Sequence, residues 1–181
     1  LALGVSSEGE YMDIEIEKPM DLNTLKEQIN KQLPKGIQIM ECVYIKENAP
    51  SLMSVIDYGA YIVRCALYQE FDDIRIIHAI EDFLEQKEIW IEKISKKSGE
   101  KKVNIRPFIK EFALSNKDQL QCDFRLIVST GSKQNIKPEV VVETFCSLFK
   151  IPILPEKMRM HRLDLYVERN HQLLTPIEIY S

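Results

Sequence analysis

What the chain lacks narrows the field first. It has no C-x-x-C pair: Cys42, Cys65, Cys122 and Cys146 are far apart, each within an apolar run. That spacing supports neither a zinc knuckle nor an iron–sulfur site, and thiols so placed pack as small hydrophobes. His78, His161 and His171 never fall i, i+4, so no two imidazoles share a helical face as metal ligands. No metal and no cofactor is expected. The longest apolar runs, such as Val140–Val142, fall far short of the roughly 20 residues a membrane-spanning helix needs. No charged-then-apolar leader opens the chain, so the expected location is cytoplasmic. The first residue is Leu1 rather than Met, which gives the expectation that the natural protein continues upstream. G-x-S-x-G is absent, and no Gly-Lys-Ser/Thr signature stands at P-loop spacing. Asp13 with Glu15 and Asp72 with Asp73 are paired carboxylates without a partner nucleophile, base or metal. No catalytic residue is assigned, and an enzyme is not expected.

What is present is apolar material and unevenly placed charge. With 181 residues, 45% of them hydrophobic, the chain can build a core for one ordinary domain or two small ones. Residues 1–95 carry 18 acids against 9 bases, whereas residues 96–181 carry 10 acids against 15 bases. An anionic partner would be steered to the second half and repelled by the first.

"GEYMDIEIE" alternates Met12, Ile14 and Ile16 with Tyr11, Asp13, Glu15 and Glu17, which predicts a half-buried strand. Asp21 or Asn23 then caps a helix to about Leu33, stopped by Pro34 and Gly36, and "GIQIMECVYI" reads as a further strand. "KENAPSLMSVIDYG" has no clear period and serves as a linker. Beyond it come strand "AYIVRCALY", a helix capped by Asp72 or Asp73, and strand "EIWIEKIS". The well-alternating strand "QLQCDFRLIVST" follows, then a helix begun by Pro138 and the strand "MHRLDLYVE". The expected fold class is α+β, with tandem ferredoxin-like (split βαβ) units and mostly antiparallel sheets. Residues 1–48 form an incomplete first unit, 49–58 the linker and 59–181 the full βαββαβ unit.

Between Lys96 and Lys110 six bases face the single acid Glu100. "KSGEK" predicts a turn that gathers Lys96, Lys97, Lys101 and Lys102 at a hairpin tip, with Arg106 beyond it able to grip a phosphate in two places. A lysine-rich edge that discourages sheet pairing accounts for the same residues. Trp90 and Phe108 are the local aromatics, and core packing is their expected role. "STGSKQNIKPE" sets Gly131, Ser132, Lys133 and Lys137 before a helix N-terminus, where amides and dipole favour an anion. Arg159, His161 and Arg162 add positive charge at the last strand.

The segments "LALGVSSEGEYMDIEI", "APSL", "KKVNIRPFI", "TGSKQNIKPEVV" and "MHRLDLY" together resemble the radical SAM-linked protein family, domain of unknown function 2344. The likeness spans nearly the whole chain. Carried over by position, the family pattern falls on Glu10, Tyr11, Asp13, Lys102, Arg106, Pro107, Gly131, Ser132, Pro138 and Arg162. Asn104 stands where the family often has Asp, and Lys137 where Arg is usual. The family's N-terminal strand and helix, with their His-Leu-Asp and Pro-His segments, lie outside this sequence. The resemblance implies an accessory role beside a radical SAM protein. The expected function is a non-catalytic RNA-binding module, for ribosomal or transfer RNA, with docking on the radical SAM partner as the alternative.

Overall fold

The computed structural model describes residues 4–95, 99–132 and 134–180, and only the backbone of residues 93–95, 99 and 100. Along the chain run β1 (Val5–Ser7), α1 (Leu22–Asn30), α2 (Leu52–Val55), β2 (Tyr58–Ala66), α3 (Asp73–Glu85), β3 (Trp90–Ser95) and β4 (Gly99–Asn104). β5 (Ile109–Asp118), β6 (Gln121–Ser129), α4 (Pro138–Leu148), β7 (Arg159–Arg169) and β8 (Gln172–Leu174) complete it. The fold is mixed α+β, with sheets that are mostly antiparallel.

One sheet has the order β1-β7-β2-β6-β5, with β8 beside β7. All its pairs are antiparallel except β1 with β7. Leaving aside the ribbon β3–β4, the main-sheet strands and the two helices from β2 to β7 run strand, helix, strand, strand, helix, strand, and the inner order β7-β2-β6-β5 is split βαβ connectivity. The alternation in residues 121–129 is borne out: Cys122, Phe124, Leu126 and Val128 are fully buried on one face, while Leu120 falls in the turn and is exposed.

Both helices lie on that buried face, for reasons legible in their ends and stripes. The Asp72 carboxylate accepts the Arg75 N–H at 2.8 Å and starts α3, whose Ile76, Ala79, Ile80 and Phe83 are buried. Pro138 opens α4, where no backbone donor is needed, and Val141, Val142, Phe145 and Cys146 are buried. Phe145 is the hub, with ring centroids 4.8–5.7 Å from Phe83, Phe112, Phe124 and Phe149. Three of the four cysteines are buried here as packed thiols, and Cys42 is half-buried.

Two expectations are corrected. "EIWIEKIS" is not a strand of the main sheet: β3 and β4 form a separate two-stranded ribbon, and β5 takes the sheet edge. The 3-10 turn at Arg106–Phe108, with Pro107 withholding a donor, breaks the chain between ribbon and sheet. A two-residue turn at Gln119–Leu120 then folds β5 onto β6. The expected tandem is also absent from the described residues. Neither 11–17 nor 37–46 forms a strand, and Met12 and Ile14, expected to point inward, are exposed. Alternation states which face a strand would bury, but it cannot supply a neighbour to pair with. The linker region holds α2, and β2 begins at Tyr58.

Candidate functional site

The residues singled out in the sequence are not gathered on one surface. Arg106, the most phosphate-like of them, is committed inside the fold. Its Nε donates to the Leu84 carbonyl at 2.9 Å and its Nη1 to the Ile109 carbonyl at 3.1 Å, so it ties the end of α3 to the start of β5. Arg162 is mostly enclosed: Nη1 meets Glu10 Oε1 at 2.7 Å, Nε donates to the Tyr61 hydroxyl at 3.3 Å, and the guanidinium lies 5.4 Å from the Tyr61 ring. Lys137 is exposed, with its ammonium 3.6 Å from Glu139 in the first turn of α4. Lys96, Lys97 and Lys133 lie outside the described residues.

Lys101 and Lys102 remain exposed on the ribbon. Lys102 stands opposite Glu92 in the ladder, and Trp90 opposite Asn104. Ile91 and Val103, on the other face, pack against the core, so Trp90, Glu92, Lys102 and Asn104 share the outer face. Trp90 is therefore not a core residue: it is 55% exposed, with Nε1 donating to Glu88 at 3.0 Å. Nothing in the sequence around Trp90 separates the two faces until the pairing partner is known. Phe108 is partly buried against the core.

The second anion candidate resolves into packing. Gly131 has φ +124°, and a Cβ there would sit 2.3 Å from the Ile56 carbonyl oxygen. The glycine lets the loop press on the end of α2, and Ser132 is exposed beside it. This loop and the Pro107 turn border one cleft of about 490 Å³, with Tyr58 and the end of β7. Its Glu168 is already paired. Lys110 Nζ is 2.5 Å from Glu168 Oε1 and 4.9 Å from the Tyr58 ring centroid, and the Tyr58 hydroxyl donates to Glu168 Oε2 at 3.3 Å. The Lys110 ammonium holds the Glu168 carboxyl below the usual carboxylate range. Among the described residues no three His, Cys, Asp or Glu are placed to hold a metal, and no helix is long and apolar enough to cross a membrane.

The positions carried over at the N-terminus form a clasp rather than a pocket. The Tyr11 hydroxyl donates to Asp164 Oδ1 at 2.6 Å, and burial, reinforced by that carboxylate, pushes the phenol well above its ordinary pKa. Asp13 Oδ2 accepts the Leu52 N–H at 3.0 Å, joining "EYMD" to "APSL". At Gly9 a Cβ would lie 2.8 Å from both Asp164 Oδ1 and the Leu163 carbonyl, so only glycine fits against β7.

The family of uncharacterized proteins conserved in bacteria, DUF2344, matches residues 1–138. The chain belongs to that family. A solved structure, "Crystal Structure of a Cbf5-Nop10-Gar1 Complex", is similar at TM-score 0.45 and 12% identity over 61% of this chain and 31% of that one. So distant a likeness carries no argument about function. No curated protein matches the chain. Within this DUF2344 chain the matched region holds residues 9–13 of the clasp, the ribbon and the Gly131 loop.

Proposed function

We propose that this DUF2344 chain is a non-catalytic accessory module that docks on a radical SAM protein through residues 10–53. One observation carries the reading: that segment has no buried side chain, yet Met12, Ile14, Ile37, Met40, Tyr44 and Met53 are 50–73% exposed. So many exposed apolar side chains in one short segment favour an interaction surface, and methionine adapts readily to a partner. Its extended backbone is served by side chains instead of a strand. Asn30 brackets Ile39, accepting its N–H at 2.7 Å and donating to its carbonyl at 3.1 Å, and the Tyr44 hydroxyl bonds both backbone groups of Met20. Residues 8–47 carry nine acids and five bases, so the matching surface is apolar with a basic rim. In this reading residues 58–169 are a ferredoxin-like platform.

The test is co-elution of the full chain with a radical SAM protein from the same genome. Wild type is expected to co-elute, while Met12→Asp with Met40→Asp abolishes the complex and leaves the fold intact. A complex that survives both changes ends the docking reading.

A second reading, RNA binding, draws on the ribbon, where the exposed Trp90 shares the outer face with Lys102. Stacking on an aromatic plus backbone charge is how single strands are held. Trp90 is the only tryptophan of the chain, so its fluorescence reports directly. A short oligoribonucleotide should quench it at low salt and lose affinity as salt rises. Unchanged fluorescence at low salt ends this reading without touching the first.

A further inference from the structure

The face of the main sheet turned away from α3 and α4 carries two arginines directly opposite each other. Arg64 of β2 pairs with Arg159 of β7 in the antiparallel ladder. Like charges in that position repel and cost stability, so their juxtaposition asks for something negative between them. Arg64 is built in place. Asp123, only 4% exposed, sits across from it on β6, accepting from Nε at 3.0 and 3.2 Å and from Nη2 at 2.8 Å. Gln121 donates to the same carboxylate at 3.4 Å. Asp123 is thus spent on holding the Arg64 fork, whose Nη1 has no partner among the described residues. Arg159 is exposed, donates Nη1 only to the Met158 carbonyl, and forms no ion pair among the described residues. Lys157 stands two residues before it, in the 3-10 turn at Pro155–Lys157.

We infer that Arg64 and Arg159 form a binding site for a phosphate group on the helix-free face of the sheet. Two arginine forks from paired positions of neighbouring strands, one anchored by a nearly buried carboxylate, suit a tetrahedral oxyanion better than a single carboxylate. The site lies on an element separate from residues 10–53 and from the ribbon, so it goes beyond both readings above. A phosphate can come from a phosphorylated small molecule or from an RNA backbone, and the experiment separates the two.

Titration calorimetry on the full chain, at constant ionic strength, would use inorganic phosphate, a 5′-mononucleotide and a short oligoribonucleotide. Saturable binding of phosphate is expected. Arg159→Ala should weaken it about 10-fold or more, the loss expected for one charged hydrogen-bonding group, and Arg159→Lys should restore it only in part. Arg159 holds no buried partner, so its replacement leaves the thermal midpoint unchanged and keeps the comparison clean. Tighter binding of the mononucleotide with no gain for the oligomer assigns a free phosphorylated ligand. A gain for the oligomer that is lost in Arg159→Ala assigns the RNA backbone. Failure of all three ligands to bind wild type, or equal binding by Arg159→Ala, overturns the site. Trp90→Ala leaves phosphate binding unchanged, so loss of the ribbon's RNA binding and loss of this site are told apart.

Discussion

Residues 58–169 and residues 10–53 are comparably rich in apolar side chains, but the first set closes a core around Phe145 while the second leaves every side chain at least partly in solvent. Both contain a capped helix and alternating segments. They differ in neighbours. β2 lies between two antiparallel strands, and its inward residues meet two helices, whereas α1 has no sheet to lie on. Local pattern makes an element possible, and pairing makes it stable.

The sharpest way to break this comparison is to truncate one side chain from each region. Phe145→Ala removes the ring shared by four aromatic neighbours and should lower unfolding free energy by about 3–5 kcal/mol in denaturant titration. Met40→Ala, at 73% exposure, should stay within about 0.5 kcal/mol. Equal losses would mean that residues 10–53 contribute to the same core.

Gly131→Ala probes how the region following β6 is fastened to α2. At φ +124° an added Cβ is strained, and it would also press on the Ile56 carbonyl. The expected loss is about 1–3 kcal/mol. A neutral result would show that the loop is not held against Ile56.

These contrasts also mark what could be read from the sequence. The period of residues 122–128, most of that of residues 76–84, Asp72 and Asp21 among the cap candidates and Pro138 at a helix start were legible, because helix ends and inward faces are local properties, whereas Ile77 and Leu120, in phase with the inward residues, are exposed. The edge strand β5 was not, since "EIWIEKIS" alternates just as well but pairs with β4 instead of joining the main sheet. Arg106 looked like a phosphate fork because the sequence does not reveal the two carbonyls it meets, 22 and 3 residues away. The Arg64–Arg159 pair was invisible for a similar reason: register sets it. Arg159 was noted for its charge, but its opposite number lies 95 positions earlier.

The clasp is where the two regions meet, and Tyr11→Phe tests it. Removing the hydroxyl deletes one partly buried hydrogen bond, worth about 1 kcal/mol. Its pH signature has a definite sign. A phenol whose pKa is raised by folding contributes stability that is whole below its ordinary value of about 10, and that stability falls as pH rises above it. Wild type should therefore lose stability on the alkaline side, and the variant should lose less. Identical alkaline limbs would mean that Tyr11 does not hold residues 10–53 to β7.

The smallest expected effect is the most discriminating. Asp21 caps α1 by accepting the Thr24 N–H at 2.9 Å and its hydroxyl at 3.1 Å, and the amide bond holds the carboxyl below its ordinary range. Asp21→Ala should strip protection from the first amides of α1 in hydrogen exchange. With no buried residue on α1, the midpoint of global unfolding should not move. Helix protection that the cap provides is present above the ordinary aspartate pKa of about 3.9 and fades as pH falls through the lowered one, so wild type at low pH should come to resemble the variant. Binding of the docking partner should remove the difference, because a helix buried by a second protein no longer depends on its cap. A fall in the global midpoint, by contrast, would place α1 in the same cooperative unit as the Phe145 core, and residues 10–53 would then be part of the platform and not the surface it presents.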